Sequence, residues 1–201
     1  MRLVGKVAIV TGGGAGIGRA IVLAMAHEGA DVLIPDIQVA NAEAVAGEVR
    51  GLGRRAMVVR MDVTKEPEVE AAIAEGIRNL GCIDILVNNA GVIPALGHPF
   101  TRQVEADWDK VFSVNLKSVF FTCKHIAAHF MERRYGKIVN ISSIAGPLSS
   151  LTMPSYSVVK MGVITLTKIV AKEMAAYNVN VNAICPGLLY TDMWKKIGEV
   201  M

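Results

Sequence analysis

The chain has 201 residues, of which 52% are hydrophobic and 5% aromatic, and its formal net charge is +3 at pH 7. This length and composition predict one globular domain over residues 1–201 with a substantial core, and so mild a charge argues against nucleic-acid binding. No run approaches the ~18 apolar residues that a membrane span requires, so we expect no membrane partner and a cytoplasmic location.

The cysteines and histidines show no pattern typical of a disulfide framework or of a zinc site. Cys82, Cys123 and Cys185 are odd in number and lie in apolar stretches, which fits buried free thiols in a reducing cytosol. His125 and His129 are four residues apart and could share a metal ion, but no further ligand at zinc spacing accompanies them. Lining one face of a helix is the better interpretation, and we expect no metal.

Short β-branched runs alternate with longer helical patterns along the whole chain. Strands are predicted at residues 6–11, 31–36, 55–62, 83–88, 136–142 and 179–185. Helices are predicted at residues 16–28, 39–52, 66–80, 154–177 and in a long segment around 105–134. The strands are almost continuously apolar, as expected when helices cover both faces of a sheet. The pattern predicts an α/β fold of the Rossmann type, a doubly wound parallel sheet with helices on both faces.

A glycine-rich turn, Thr11-Gly12-Gly13-Gly14-Ala15-Gly16-Ile17-Gly18, follows the first predicted strand and opens the first helix. Glycines let the backbone approach a pyrophosphate closely, and the helix N-terminus favours its charge. Asp36 ends the second strand ~20 residues further on, as the dinucleotide fingerprint requires. Its carboxylate can bind a ribose 2′-hydroxyl and would repel a 2′-phosphate, and neither Ala15 nor Ile37 supplies a cation there. The turn therefore predicts a dinucleotide, NAD rather than NADP.

Tyr156 and Lys160 are the second candidate constellation. If residues 154–177 form a helix, these two side chains lie on one face because they are four residues apart. A fixed ammonium favours phenolate over phenol, which makes such a tyrosine a plausible acid/base. Pairs of this kind also occur by chance on solvated helix surfaces, so the interpretation depends on the other motifs.

Six elements together resemble the short-chain dehydrogenase/reductase family, and the resemblance covers all 201 residues. In chain order they are Thr11-Gly12-x-x-x-Gly16-x-Gly18, Asn88-Asn89-Ala90-Gly91, Asn115, Ser143, Tyr156-x-x-x-Lys160 and Pro186-Gly187-x-x-x-Thr191. Their order and spacing match the family, and a chance match to all six is negligible.

The resemblance implies a role for each catalytic candidate. Tyr156 would be the general acid/base, Lys160 would lower its pKa and hold the nicotinamide ribose, and Ser143 would hydrogen-bond the substrate oxygen. Asn115 would hold a water molecule in a proton relay. Ser142, the neighbour of Ser143, is expected only to brace the end of its strand.

The resemblance also implies a cofactor path along the turns that follow the strands. The residues expected to contact the cofactor are Gly12, Gly16, Ile17, Gly18, Asp36, Ile37, Asp62, Val63, Asn89, Ala90, Gly91, Tyr156, Lys160, Pro186, Gly187, Leu189 and Thr191. Asp62 and Val63 would hold the adenine edge. Pro35, just before Asp36, removes a ladder donor, which a central strand tolerates only near its end.

Three functions remain open at this point. The first is an NAD-dependent oxidoreductase of a small secondary alcohol or ketone, and the second is a 3-oxoacyl-thioester reductase. Asp36 counts against the second because the resemblance implies NADPH for that branch. The third is a cofactor-binding scaffold without turnover, against which the complete set of catalytic candidates argues.

Two further expectations concern assembly and the end of the chain. The resemblance implies a homo-oligomer, a tetramer or dimer formed through the long helix and the tyrosine-bearing helix. Phe120, Phe121, Ile126 and Phe130 fit either that interface or a core stripe. The chain ends at Met201, whereas family members continue through a substrate-covering segment and a seventh strand, so we expect both to be absent from these 201 residues.

Overall fold

The computed structural model describes residues 1–93 and 99–189 as a parallel sheet with flanking helices. The strands are β1 (Val7–Val10), β2 (Asp31–Asp36), β3 (Ala56–Arg60), β4 (Ile85–Asn88), β5 (Gly136–Ile141) and β6 (Val179–Ile184). The α-helices are α1 (Gly16–His27), α2 (Val39–Gly51), α3 (Glu66–Leu80), α4 (Glu105–Phe112), α5 (Ser118–Arg133), α6 (Ala145–Leu148) and α7 (Pro154–Met174). The strand order β3-β2-β1-β4-β5-β6 confirms the predicted doubly wound sheet.

Two apolar cores lie on opposite faces of the sheet. Val7 and Ile9 of β1 belong to the core beneath α3, α5 and α7, whereas Ala8 and Val10 belong to the core beneath α1 and α2. Successive side chains of a strand point to opposite faces, so this division shows that helices cover both faces. It explains why the strands lack the polar alternation of a half-exposed sheet.

The long predicted helical segment at 105–134 is not one α-helix. A π-helical turn, Ser113–Lys117, separates α4 from α5 and contains Asn115. Phe121, Ile126 and Phe130 of α5 are core residues, while Phe120 remains 46% exposed. Phe121, Ile126 and Phe130 therefore fit the interpretation as a core stripe. Of these four apolar residues, only Phe120 is exposed on the described chain and could belong to an interface.

The predicted strands and helices otherwise differ from the structure at their ends. Strand β3 ends at Arg60, so Asp62 and Val63 lie in the connection that follows it. The tyrosine-bearing helix ends at Met174 and continues as a short 3₁₀ turn, Ala175–Tyr177. Pro35 is the fifth residue of β2, and its carbonyl accepts a hydrogen bond from the Gly12 N–H at 2.9 Å. The proline therefore takes part in the first βα turn instead of disturbing it.

The two histidines of α5 have protein partners. The Nε2 atom of His125 lies 3.1 Å from a carboxylate oxygen of Glu66, and the Nε2 atom of His129 accepts the Ile83 N–H at 3.1 Å. Within residues 1–93 and 99–189, no helix has the length and hydropathy needed to cross a membrane.

Candidate functional site

A cleft of about 1080 Å³ runs along the carboxyl ends of the strands, from the first βα turn to the residues after β6. It is lined by most of the predicted site residues: Gly12, Gly16, Ile17, Gly18, Asp36, Ile37, Asp62, Val63, Asn89, Ala90, Gly91, Ser143, Tyr156, Lys160, Pro186, Gly187 and Leu189. Asn115 does not line it, and Thr191 lies outside the described residues. The carboxyl edge of a parallel sheet brings together residues that are far apart in the sequence.

The glycine-rich turn has the geometry that a pyrophosphate needs. Gly12 and Gly16 have positive φ angles of 64° and 53°, a left-handed conformation that side chains disfavour. A Cβ at Gly18 would lie 2.1 Å from the Gly12 carbonyl oxygen, so only glycine fits there. Helix α1 has no side-chain cap at its N-terminus, which leaves its first N–H groups available to an anion.

Asn89 holds this turn in place. Its Nδ2 atom donates to the carbonyl oxygens of Thr11 and Gly12 at 3.0 and 3.1 Å. The Thr11 hydroxyl in turn accepts the N–H groups of Asn89 and Ala90. Asn88 is buried and bonds the Asn140 side chain of β5 at 2.8 Å. Both asparagines of the pair therefore tie neighbouring segments together.

Asp36 carries a fixed negative charge at the end of β2. Its Oδ2 atom accepts the Gly14 N–H at 2.9 Å and its Oδ1 atom accepts the Gln38 N–H at 2.8 Å. The described lysines that line the cleft, Lys110 and Lys160, belong to α4 and α7. The Asp36 carboxylate can therefore accept a hydrogen bond from a ribose hydroxyl. Among the described residues that line the cleft, α1 and α2 contribute no lysine or arginine that could bind a 2′-phosphate.

Asn115 is buried behind the wall of the cleft. Its side-chain amide makes two hydrogen bonds of 2.7 Å to the main chain of Val92, one as donor and one as acceptor. A Cβ at Gly91 would lie 3.2 Å from its Oδ1 atom, so the glycine gives it room. The side chain fixes the loop after β4 to the π-helical turn.

The three remaining catalytic candidates meet where β5 ends against α7. Lys160 is only 4% exposed, and its ammonium donates to the Ile141 carbonyl at 2.8 Å. The same Nζ atom lies 5.4 Å from the centroid of the Tyr156 ring. Ser143 lies near enough to Tyr156 for its hydroxyl to lower the pKa of the phenol. One face of α7 therefore presents the phenol and the ammonium together, as the four-residue spacing predicts.

Burial dominates the ionisation of this pair. It raises the pKa of the Tyr156 phenol above its ordinary value, although the nearby Ser143 hydroxyl works in the opposite direction. Burial also lowers the pKa of the Lys160 ammonium to about 8, against a smaller opposing effect of Cys185. The sequence suggested a phenol pKa lowered by the lysine. Desolvation, which the sequence pattern does not show, favours the neutral form of each group instead.

Ser142 has a partner that sequence reasoning missed. Its hydroxyl donates to the main-chain carbonyl of Lys160 at 2.7 Å, and its own N–H donates to the Ile184 carbonyl at 2.8 Å. Ser142 therefore braces helix α7 as well as the strand end. The signal available in the sequence was the serine pair at 142–143, but nothing in it indicated the bonding partner.

A family model and several curated proteins resemble this chain over nearly its whole length. A family model described as short chain dehydrogenase matches residues 6–201. The 3-oxoacyl-[acyl-carrier-protein] reductase FabG of Thermotoga maritima is 39% identical over 200 residues, covering 99% of this chain and 80% of the relative. The protein of the same name from Chlamydia pneumoniae is 39% identical over 197 residues, covering 98% of this chain and 79% of the relative.

Solved structures of the same architecture superimpose closely. NAD⁺-bound xylitol dehydrogenase has a TM-score of 0.91 at 35% identity, covering 93% of this chain and 72% of the other. Levodione reductase has a TM-score of 0.94 at 32% identity, covering 98% of this chain and 76% of the other.

Replacing Gly18 by alanine tests whether the first turn holds the dinucleotide. The added Cβ collides with the Gly12 carbonyl, so the turn must open and the affinity for a nicotinamide dinucleotide should fall by at least about tenfold, the equivalent of ~1.4 kcal/mol. Fluorescence titration with the reduced cofactor measures this. Gly47→Ala is the matched control, because no atom lies within 4 Å of its added Cβ. Equal affinities for the two variants would contradict this role of the turn.

The burial of Lys160 predicts a pH-dependent stability. Its pKa is about 8 in the folded chain and 10.5 ordinarily, so between these values the unfolded chain binds more protons and the lysine's contribution to stability rises with pH. In Lys160→Met this contribution is absent. We expect the free energy of unfolding of wild type, relative to Lys160→Met, to rise by on the order of 3 kcal/mol from pH 8 to pH 10.5.

Urea unfolding of both proteins across this range measures the difference. A constant gap between wild type and Lys160→Met would show that the lysine is not held in a desolvated site.

Proposed function

We propose that this chain, which belongs to the short chain dehydrogenase family, reduces the 3-oxo group of acyl thioesters with NADH as the hydride donor. The family is one of oxidoreductases that act on CH–OH or carbonyl groups. The observation that carries the choice of substrate is the name shared by the relatives: the proteins from Thermotoga maritima and Chlamydia pneumoniae are 3-oxoacyl-[acyl-carrier-protein] reductases, each 39% identical over nearly the whole chain.

The chain's own residues handle the proton of the reaction. Tyr156 donates its phenolic proton to the substrate oxygen as the carbonyl carbon becomes a secondary alcohol carbon. Ser143 hydrogen-bonds the same oxygen and holds it toward the phenol, and the nearby Lys160 ammonium stabilises the phenolate that is left. In the opposite direction the phenolate removes the proton of the alcohol. A bound nicotinamide supplies the hydride in reduction and accepts it in oxidation.

The cofactor residues divide along the cleft. The turn from Gly12 to Gly18 and the N-terminus of α1 hold the pyrophosphate, and Asp36 holds the adenosine ribose hydroxyls. Asp62 and Val63 border the adenine, and Lys160 together with Tyr156 holds the nicotinamide ribose. Ile17, Ile37, Asn89, Ala90, Gly91, Pro186, Gly187 and Leu189 complete the walls. Thr191, outside the described residues, is proposed to continue this path.

The substrate end of the cleft suits an acyl chain. Beyond Ser143 its described walls are largely apolar and include Ile144, Leu148, Met153 and Leu188. Leu148 and Leu188 are each 74% exposed, so they present apolar surface that an acyl chain can cover.

A second function has an observation of its own. The fixed carboxylate of Asp36 fits NAD, and the similar xylitol dehydrogenase structure contains NAD⁺. These favour the NAD-dependent oxidation of a small secondary alcohol, which the sequence put first. The shared name of the curated relatives supports reduction of the thioester more strongly.

A substrate panel separates the two functions. We expect NADH-dependent reduction of acetoacetyl thioesters, on coenzyme A and on an acyl carrier protein, to exceed oxidation of polyols by NAD⁺. Tyr156→Phe should lower turnover by at least about 10²-fold, because it removes the general acid while leaving the ring in place. Cofactor affinity should change little, since the phenol is one contact among many.

Polyol oxidation without thioester reduction would replace the first function by the second. Tight cofactor binding without turnover of either class would instead support a cofactor-binding scaffold.

Cofactor preference is a separate prediction. We expect NADH to bind at least about tenfold more tightly than NADPH, because a 2′-phosphate would meet the Asp36 carboxylate in a partly buried site. Asp36→Asn keeps the shape of the side chain and removes its charge, so it should reduce the preference for NADH over NADPH. Asp109→Asn, an equal charge change on the exposed surface of α4, should not. A wild type that prefers NADPH would show that Asp36 does not set the preference.

A further inference from the structure

Three consecutive residues at the end of β5 lie against helix α7, and two of them hydrogen-bond Lys160. The Ile141 carbonyl accepts the Lys160 ammonium at 2.8 Å. The Ser142 hydroxyl donates to the Lys160 main-chain carbonyl at 2.7 Å. Ser143 lies near enough to the Tyr156 side chain to lower the pKa of its phenol. Both ends of Lys160, its peptide and its ammonium, are therefore bonded to adjacent residues of one strand end.

Ser142 is itself held rigidly. It is 3% exposed, and its N–H donates to the Ile184 carbonyl of β6 at 2.8 Å. Ser142 is therefore anchored to the sheet through the neighbouring strand and not through α7. Its bond to the Lys160 carbonyl thus sets the distance between the helix and the sheet at this turn.

Helix α6 contacts the same peptide from another direction. A Cβ at Gly146 would lie 3.1 Å from the Lys160 carbonyl carbon and 3.1 Å from the Met161 nitrogen. The Lys160–Met161 peptide is consequently in contact with both the end of β5 and α6. Lys160 is therefore restrained by hydrogen bonds to the end of β5 and by close packing against α6.

We propose that Ser142 is a positioning residue, which fixes the main chain of Lys160 so that the ammonium stays beneath the end of β5 and beside the Tyr156 ring. Ser142 acts through Lys160 and need not touch the substrate. The proposal rests on the proposed function only in taking Tyr156 and Lys160 as the reacting pair.

The consequence is a specific effect on Lys160. Without the Ser142 hydroxyl, the peptide of Lys160 is released from the strand end, and the ammonium can move away from the Ile141 carbonyl toward the cleft. The other described ionisable groups of this region are the Tyr156 phenol on α7, the Cys185 thiol after β6 and Lys110 on the wall formed by α4. A substitution of Ser142 leaves each of these groups in the sequence. A change in the titration of Lys160 therefore reports a change in the position of the Lys160 ammonium.

The experiment compares wild type, Ser142→Ala and Ser142→Thr, which keeps the hydroxyl. The ε-carbon shift of Lys160 is titrated by NMR in the full chain with labelled lysine, and Lys160→Met assigns the signal. In Ser142→Ala we expect the pKa of Lys160 to rise toward its ordinary value, because the ammonium becomes better hydrated. With the best substrate of the wild type, kcat should fall about tenfold and KM less than about twofold, as expected when one positioning hydrogen bond is lost. Ser142→Thr should restore both.

Thr167→Val is the matched control. Thr167 is a buried hydroxyl of the same helix, and it donates to the Val163 carbonyl at 2.7 Å. It also accepts the Asn140 side-chain amide at 2.9 Å, so its loss should destabilise the fold at least as much as the loss of the Ser142 hydroxyl, without moving the titration of Lys160. If Ser142→Ala does not fold, Ser142→Cys is measured in the same way, because a thiol of similar size is a much weaker donor.

A Lys160 titration that is identical in wild type and in the Ser142 variant overturns the proposal. The titration needs no substrate, so it tests the positioning of Lys160 even if the chain reduces no acyl thioester. Failure of the substrate panel with a shifted Lys160 would therefore reject the proposed function alone.

Discussion

The burial of the Lys160 ammonium beneath the end of β5 is the constraint on which the rest of the site depends. A charge removed from water is costly unless it is hydrogen-bonded, and here the Ile141 carbonyl is its bonding partner at 2.8 Å. That bond forms only if α7 lies close against the sheet at this turn. The hydroxyl of Ser142 and the absence of a side chain at Gly146 make the close approach possible. The position and the electrostatics of Tyr156 and Lys160 therefore have one structural cause.

The cofactor end of the cleft follows a different principle, in which missing side chains matter as much as present ones. Because Gly12 and Gly18 lack side chains, the backbone at these two positions can approach closely. Asn89 donates hydrogen bonds to the carbonyl groups of Thr11 and Gly12. Main-chain N–H groups fix Asp36, and no lysine or arginine of the described residues forms an ion pair with it. Its charge remains available to a hydroxyl of the ligand. Hydrogen bonds therefore hold the glycine-rich turn and Asp36 at one end of the cleft, as they hold Lys160 at the other.

The sequence predicted the features that short-range spacing determines. Strand and helix alternation predicted the sheet, and the four-residue spacing of Tyr156 and Lys160 placed both side chains on one face of α7. Features that depend on contacts between distant segments were not predictable. The bonds of Asn115 to Val92 and the partner of Ser142 join residues brought together only by the fold, and the π-helical turn at Ser113–Lys117 interrupts a sequence pattern that is helical throughout. The direction of the Tyr156 pKa was also missed, because burial depends on three-dimensional packing.

The direction of the Tyr156 pKa shift bears on the form of the side chain that each reaction needs. Reduction of a carbonyl needs a protonated Tyr156 that can donate its proton, whereas oxidation of an alcohol needs the phenolate. Burial raises the pKa of the phenol and lowers that of Lys160, so at neutral pH the described structure holds the tyrosine in the form that reduction requires. Oxidation would require an additional positive charge near the pair, or an alkaline solution, before the phenolate became populated. Oxidised nicotinamide would bring such a charge, so the raised pKa of Tyr156 does not by itself choose between the two directions of hydride transfer.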